Sequence, residues 1–207
     1  MDMVTAMAVV IIQRRASRKK TKNAEKMEVI ESELKGLFVI KPKVFQDERG
    51  YFFESYNKEL FKKSGLNLDF VQDNQSLSQK GVLRGLHFQN PPYAQGKLVR
   101  VITGAVFDVA VDIRKNSKTY GKWLGLKLSE ENKWMMYIPE GFAHGFLTLE
   151  NNTIFSYKCT GFYKKEAEDS LLWNDPDIGI HWESDEVLLS EKDKSAKLFR
   201  GFNSQFE

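Results

Sequence analysis

Between residues 37 and 159 the chain alternates short apolar runs with polar turns, a pattern of strands rather than long helices. Segments 37–42, 50–56, 70–77, 82–88, 98–101, 105–113, 122–128, 134–138, 144–149 and 153–159 have the length and residue types of strands. Turn signals separate many of them, including Glu48-Arg49-Gly50, Gln79-Lys80-Gly81 and Glu150-Asn151-Asn152. Helix signals are few. Residues 58–64 read as one short helix with Gly65 suited to end it, and 190–197 as another. No long helices alternate with the strands, which argues against a parallel α/β sheet. Many short strands at this spacing predict an all-β sandwich, jelly roll or barrel.

Composition changes this picture little, and charge changes it in one place. A length of 207 residues suits one domain with a proper core, and 42% hydrophobic with 29% charged residues is ordinary for a globular chain. Aromatics reach 13%, with 15 Phe, which favours strands and large apolar faces. The net charge of +3 is unevenly placed. Residues 1–26 hold seven basic side chains against Asp2 and Glu25, a surplus of five, so the remainder is −2. The main body therefore gives no reason to expect a nucleic-acid partner. Within the basic start, residues 4–12 are mostly apolar, but nine residues cannot cross a bilayer. The basic cluster follows the apolar run, the reverse of a secretory signal. An organelle presequence or a membrane-touching face is the alternative to a disordered basic extension over 1–26. The extension is preferred, with a single domain over 27–207 and no stable membrane insertion. One cysteine, Cys159, excludes an intrachain disulfide and fits a reducing compartment, so a cytoplasmic location is expected.

Two motifs carry candidate chemistry. Gly81-Val82-Leu83-Arg84-Gly85-Leu86-His87 sets a histidine at a strand end. Pro139-Glu140-Gly141-Phe142-Ala143-His144 resembles the second cupin motif, in which a turn delivers a histidine into a barrel. Alone, either is as well explained by a glycine-bearing strand or turn with a core histidine. A cupin metal site would also need a second histidine two residues after His87, where Gln89 stands. With only His87, His144 and His181 in the chain, no metal and no cofactor are expected.

Seven segments in one order decide between the readings: 45–54 (Phe-Gln-Asp-Glu-Arg-Gly-Tyr-Phe-Phe-Glu), 70–74, 81–87, 95–97, 108–114, 139–146 and 189–193. Together, from about Met27 to Arg200, they resemble the dTDP-4-dehydrorhamnose 3,5-epimerases. The resemblance implies a cupin-like jelly-roll barrel, a metal-free homodimer with an exchanged N-terminal segment, and a nucleotide-sugar substrate. It implies inversion of C3 and C5 of dTDP-4-dehydro-6-deoxy-D-glucose through an enolate, giving dTDP-4-dehydro-L-rhamnose.

By the same resemblance His87 is the base, Asp193 orients it, Lys97 faces the enolate oxygen and Tyr157 is the acid on the opposite face. Arg49, Glu54, Gln72, Asn74, Arg84, His144 and Glu168 match positions around the nucleotide sugar. Singly, each has a plainer explanation: Ser190-Glu191-Lys192-Asp193 also reads as a helix cap, Lys97 as a solvated strand residue, and Tyr157 as a rim aromatic. Other classes left in view are a single-position epimerase of the same family, a metal-dependent cupin isomerase or dioxygenase, and a non-catalytic carbohydrate-binding jelly roll. Geometry adds one demand. Arg84 and His87 are three apart, so a regular strand would point them to opposite faces, and serving one site requires an irregularity near Gly85.

Overall fold

The structure is a computed structural model and describes residues 26–184 and 186–207. The expectation for the basic start therefore lies outside the described residues, Lys26 apart. Its strands are β1 (Glu28–Glu31), β2 (Phe38–Lys41), β3 (Phe45–Asp47), β4 (Gly50–Phe52), β5 (Gln72–Ser78), β6 (Leu83–Gln89) and β7 (Lys97–Thr103). They continue with β8 (Ala105–Asp112), β9 (Trp123–Ser129), β10 (Met135–Ile138), β11 (Phe142–Thr148), β12 (Thr153–Cys159) and β13 (Glu168–Ser170). Two short helices, α1 (Lys58–Lys63) and α2 (Glu191–Lys194), and a 3-10 turn, Lys165–Ala167, complete the set.

The strands form two facing antiparallel sheets. One has six strands in the order β1-β2-β10-β7-β12-β5, and the other five in the order β13-β6-β11-β8-β9. Apart from the consecutive pairs β1–β2 and β8–β9, neighbours in each sheet come from distant parts of the chain, as in a jelly roll. β3 and β4 form a separate hairpin.

Three apolar clusters hold these layers. The innermost lies between the sheets and joins Val99, Val101, Met136 and Phe155 of one to Val106, Ala110, Phe142 and Phe146 of the other. The outer face of the six-stranded sheet is covered by α1 through Phe61, packed with Ile40, Leu98 and Met135. The outer face of the five-stranded sheet is covered by the chain after β13, with Ile178, Ile180 and Phe206 against Phe88, Phe107 and Val111. β8 is thereby buried on both faces over its full length, which explains its near-continuous apolar sequence.

Local chemistry places the helices. Asn57 caps α1 by accepting from Glu59 N and Leu60 N, and Gly65 follows with φ +91. α2 is shorter than the sequence predicts. It stops at Ser195, and Lys197 turns to bridge Leu171.

The irregularity expected near Gly85 is present. In the β6–β11 ladder His87 pairs with His144 and Arg84 with Phe146, so Gly85 and Leu86 together face Gly145 alone. Gly85 has φ +131, and a Cβ built there would lie 2.5 Å from the Gly145 Cα. Two glycines thus let adjacent backbones approach where the strand changes its face.

Candidate active site

A cavity of about 300 Å³ opens between the sheets at one end of the barrel. The six-stranded sheet gives it Gln72 and Asn74 from β5, Lys97 from β7 and Tyr157 from β12. The five-stranded sheet gives His87 and Gln89 from β6 and Glu168 from β13. His87 and Tyr157 therefore face the same space from opposite sheets.

His87 Nε2 lies 2.5 Å from Asp193 Oδ1, and the Asp193 side chain is only 4% exposed. The helix cap and the histidine partner suggested for Asp193 are compatible. Ser190 Oγ accepts from Asp193 N at 3.1 Å and donates to Asp193 Oδ2 at 2.9 Å, leaving Oδ1 to His87. Burial acts to raise the Asp193 carboxyl, but the bond and charge of His87, aided by Ser190 and Lys192, hold it below the ordinary carboxylate value. Asp193 is thus an anion beside the imidazole at neutral pH.

Desolvation holds the Lys97 ammonium below the ordinary lysine value, against the opposing charges of Cys159, Asp108 and Glu168. Burial raises the Tyr157 phenol, which keeps its proton. Glu168 accepts from Tyr163 Oη at 3.0 Å and pairs with Lys192 Nζ at 2.6 Å. Burial acts to raise its carboxyl, but these two partners bring it below its ordinary value.

Several residues singled out in the sequence stand elsewhere. His144 lies outside the cavity lining, 6% exposed, with Nε2 3.1 Å from both carboxylate oxygens of Asp108. Desolvation lowers its imidazole and raises the Asp108 carboxyl, each partly offset by the other. Arg84, past the bulge, is exposed and donates from Nε to Ser78 Oγ at 3.3 Å. Arg49 and Glu54 belong to the β3–β4 region away from the cavity. Arg49 is paired with Asp47, and Glu54 accepts from Asn57.

The cavity also contains residues that the sequence did not single out: Gln89 as a lining residue, Gln95, Phe88 and Tyr163. Lys192 joins them through Glu168. Gln95 and Lys192 sat inside quoted motifs beside Lys97 and Asp193, which was the available signal; Tyr163 carried none.

Gln89, where a cupin's second histidine ligand would stand, donates to Tyr93 O and Phe162 O and accepts from Lys164 N. Among the described residues no three His, Cys, Asp or Glu side chains are grouped to hold a metal ion. A second groove of about 500 Å³, beside the loop after β8, is lined by Lys35, Arg114, Ser117 and Thr119 among others. There Arg114, Ser117 and Thr119 all turn onto Asp112, at 2.7 Å each. They fasten the loop onto β8.

Comparison with known proteins agrees with the resemblance. Residues 31–201 match the family model described as dTDP-4-dehydrorhamnose 3,5-epimerase. The enzyme of that name from Methanothermobacter thermautotrophicus is 54% identical over 174 residues, covering 83% of this chain and 94% of the relative. The one from Salmonella typhimurium is 55% identical, covering 83% and 95%. Among solved structures, a 3,5-epimerase from Legionella pneumophila in complex with dTDP-4-keto-L-rhamnose matches with a TM-score of 0.82 at 49% identity, covering 86% of this chain and 95% of that one. A 3'-monoepimerase from Streptomyces bikiniensis, in complex with dTDP-quinovose, matches with a TM-score of 0.78 at 32% identity, covering 82% and 86%. With a cupin-like jelly roll, a shared order of motifs and a family match spanning most of its length, the chain belongs to the dTDP-4-dehydrorhamnose 3,5-epimerase family.

Proposed function

We propose that this protein inverts C3 and C5 of dTDP-4-dehydro-6-deoxy-D-glucose, giving dTDP-4-dehydro-L-rhamnose, in the cytoplasm. The observation that carries the proposal is the His87–Asp193 contact of 2.5 Å in a cavity that Tyr157 and Lys97 enter from the other sheet. Both carbons lie beside the C4 ketone, so loss of either proton gives an enolate. With Nε2 tied to Asp193, His87 accepts that proton on Nδ1, and the carboxylate stabilises the imidazolium. The negative charge collects on the C4 oxygen, where the Lys97 ammonium balances it. Tyr157 delivers its phenolic proton to the other face of the carbon, and the configuration inverts. Solvent returns a proton to Tyr157 and takes one from His87, closing the cycle without a net change. General acid–base catalysis typically contributes about 10²–10⁴-fold, and one oxyanion partner about 3 kcal/mol, so these groups together supply a useful rate.

Gln72, Asn74 and Glu168 hold the substrate within the cavity, while Arg84 and His144 act from its rim and from behind it. Arg49 and Glu54 reach a cavity only in a homodimer, where the β3–β4 hairpin of one protomer crosses to its partner. The hairpin's exposed Phe45, Tyr51 and Phe52 (51%, 55% and 65%) support that arrangement, since aromatics clustered on one exposed hairpin favour an interface.

Incubation of the keto-sugar nucleotide in heavy water tests the reaction. Deuterium should enter at C3 and C5, and His87→Ala should abolish both exchanges. Exchange at one carbon only would replace this reading with a single-position epimerase.

A further inference from the structure

Residues 161–164, which follow β12 and carry Tyr163 into the cavity, are held by side chains at every position. Gln95 Nε2 donates to Gly161 O at 2.6 Å and Gln89 Nε2 to Phe162 O at 3.2 Å. Tyr163 N donates to Gln72 Oε1 at 2.9 Å, and Lys164 N to Gln89 Oε1 at 2.7 Å. Three glutamines, one from each sheet and one from the loop between β6 and β7, thus converge on four consecutive residues. Burial does little to fix the segment, because Phe162 and Tyr163 remain 65% and 51% exposed. A primary amide suits the task because it donates and accepts from one neutral, planar group. Gln89 is buried and uses its Nε2 a second time, on Tyr93 O at 2.7 Å, tying the turn after β6 to the same wall.

We propose that Gln89 and Gln95 are positioning residues that hold segment 161–164 as the wall of the cavity, setting affinity for the nucleotide sugar without moving a proton. The proposal rests on the nucleotide-sugar reading above. It separates binding from chemistry because His87 is held by Asp193, and Asp193 by Ser190, in contacts to which segment 161–164 contributes no atom.

Gln89→Leu and Gln95→Leu keep side-chain bulk and remove the amide. Gln79→Leu is the control, since its amide pairs with Asn152 at 3.0 Å and takes no part in the wall. Calorimetric titration with dTDP, together with kcat and KM, reads the outcome. In Gln89→Leu the dTDP Kd and the KM should rise about tenfold or more, and in Gln95→Leu about threefold or more, with kcat within about threefold. Gln79→Leu should match the parent. A folded Gln89→Leu with unchanged Kd and KM, or one that loses kcat alone, overturns the proposal. If Gln89→Leu does not fold, Gln95→Leu decides by the same criteria. Parent protein that binds dTDP but exchanges no proton sinks the epimerase reading and leaves this one standing; parent protein that does not bind dTDP sinks both.

Discussion

Tyr157 and Lys97 give the site two titrating groups that burial moves in opposite directions. The phenol is raised and stays protonated, so Tyr157→Phe should separate exchange from inversion. His87 would still wash deuterium into the substrate, returning it to the face it left, while formation of the inverted product falls about 10²-fold or more. Product and exchange can be followed in one NMR time course; equal loss of both would contradict an opposite-face acid. The ammonium is lowered, so it loses its proton earlier as pH rises, and activity that needs the charged form falls with it. The alkaline limb of kcat should therefore begin below the ordinary lysine value of about 10.4. Residual activity in Lys97→Arg should keep its charge to higher pH and show that limb displaced upward. A limb that does not move would assign it to another group. The candidates themselves, with Asp193 as the partner of His87, were legible only through the family resemblance, and the residues that support the cavity wall were not. Gln89 and Gln95 act through backbone contacts that exist only once 161–164 is folded, and no residue type announces such a role. Asp108 stood inside a quoted segment, yet only burial shows that it takes both contacts of His144 Nε2.

At the level of elements, the β6 bulge links packing to chemistry. Gly85→Ala would place a methyl 2.5 Å from the Gly145 Cα and 2.8 Å from the His144 carbonyl, at a φ of +131. Neither neighbour is a flexible side-chain tip, so the two strands must part. The expected cost is about 2–4 kcal/mol of stability, with a larger fall in kcat than in dTDP affinity because His87 is on the displaced side. Thermal unfolding and kinetics check the pair, and a variant as stable and active as the parent would show that the close approach is dispensable. The bulge was expected because the resemblance asks Arg84 and His87, three residues apart, to serve one site. β12 was expected and observed over the same residues, 153–159. β13 was not foreseen, since Glu168-Asp169-Ser170 shows no apolar alternation and becomes a strand only by pairing with β6. Conversely, 50–56 read as a longer strand than the observed Gly50–Phe52, because its aromatic run lies on a two-stranded hairpin with no third strand to extend it.

Across the whole molecule, the hairpin and the tail were the hardest parts to place. If the hairpin completes the partner's cavity, mixing Arg49→Ala with His87→Ala subunits should restore activity that neither has alone. Each mixed dimer regains one intact site, so random exchange should give about a quarter of the parent rate. No restoration after verified subunit exchange would place Arg49 outside the partner's site. Apart from 189–197, the tail from 171 onward was illegible for a different reason. Trp173, Trp182, Phe199 and Phe202 follow no strand or helix period, and their common purpose appears only when they cover the outer face of the five-stranded sheet. That same tail carries Asp193, which lies 106 residues after the histidine it touches. At a synthesis rate of about 5–20 residues per second, the imidazole is made roughly 5–20 s before its carboxylate. On the proposed chemistry, a nascent chain whose barrel strands are all made is therefore still silent until Asp193 has been added.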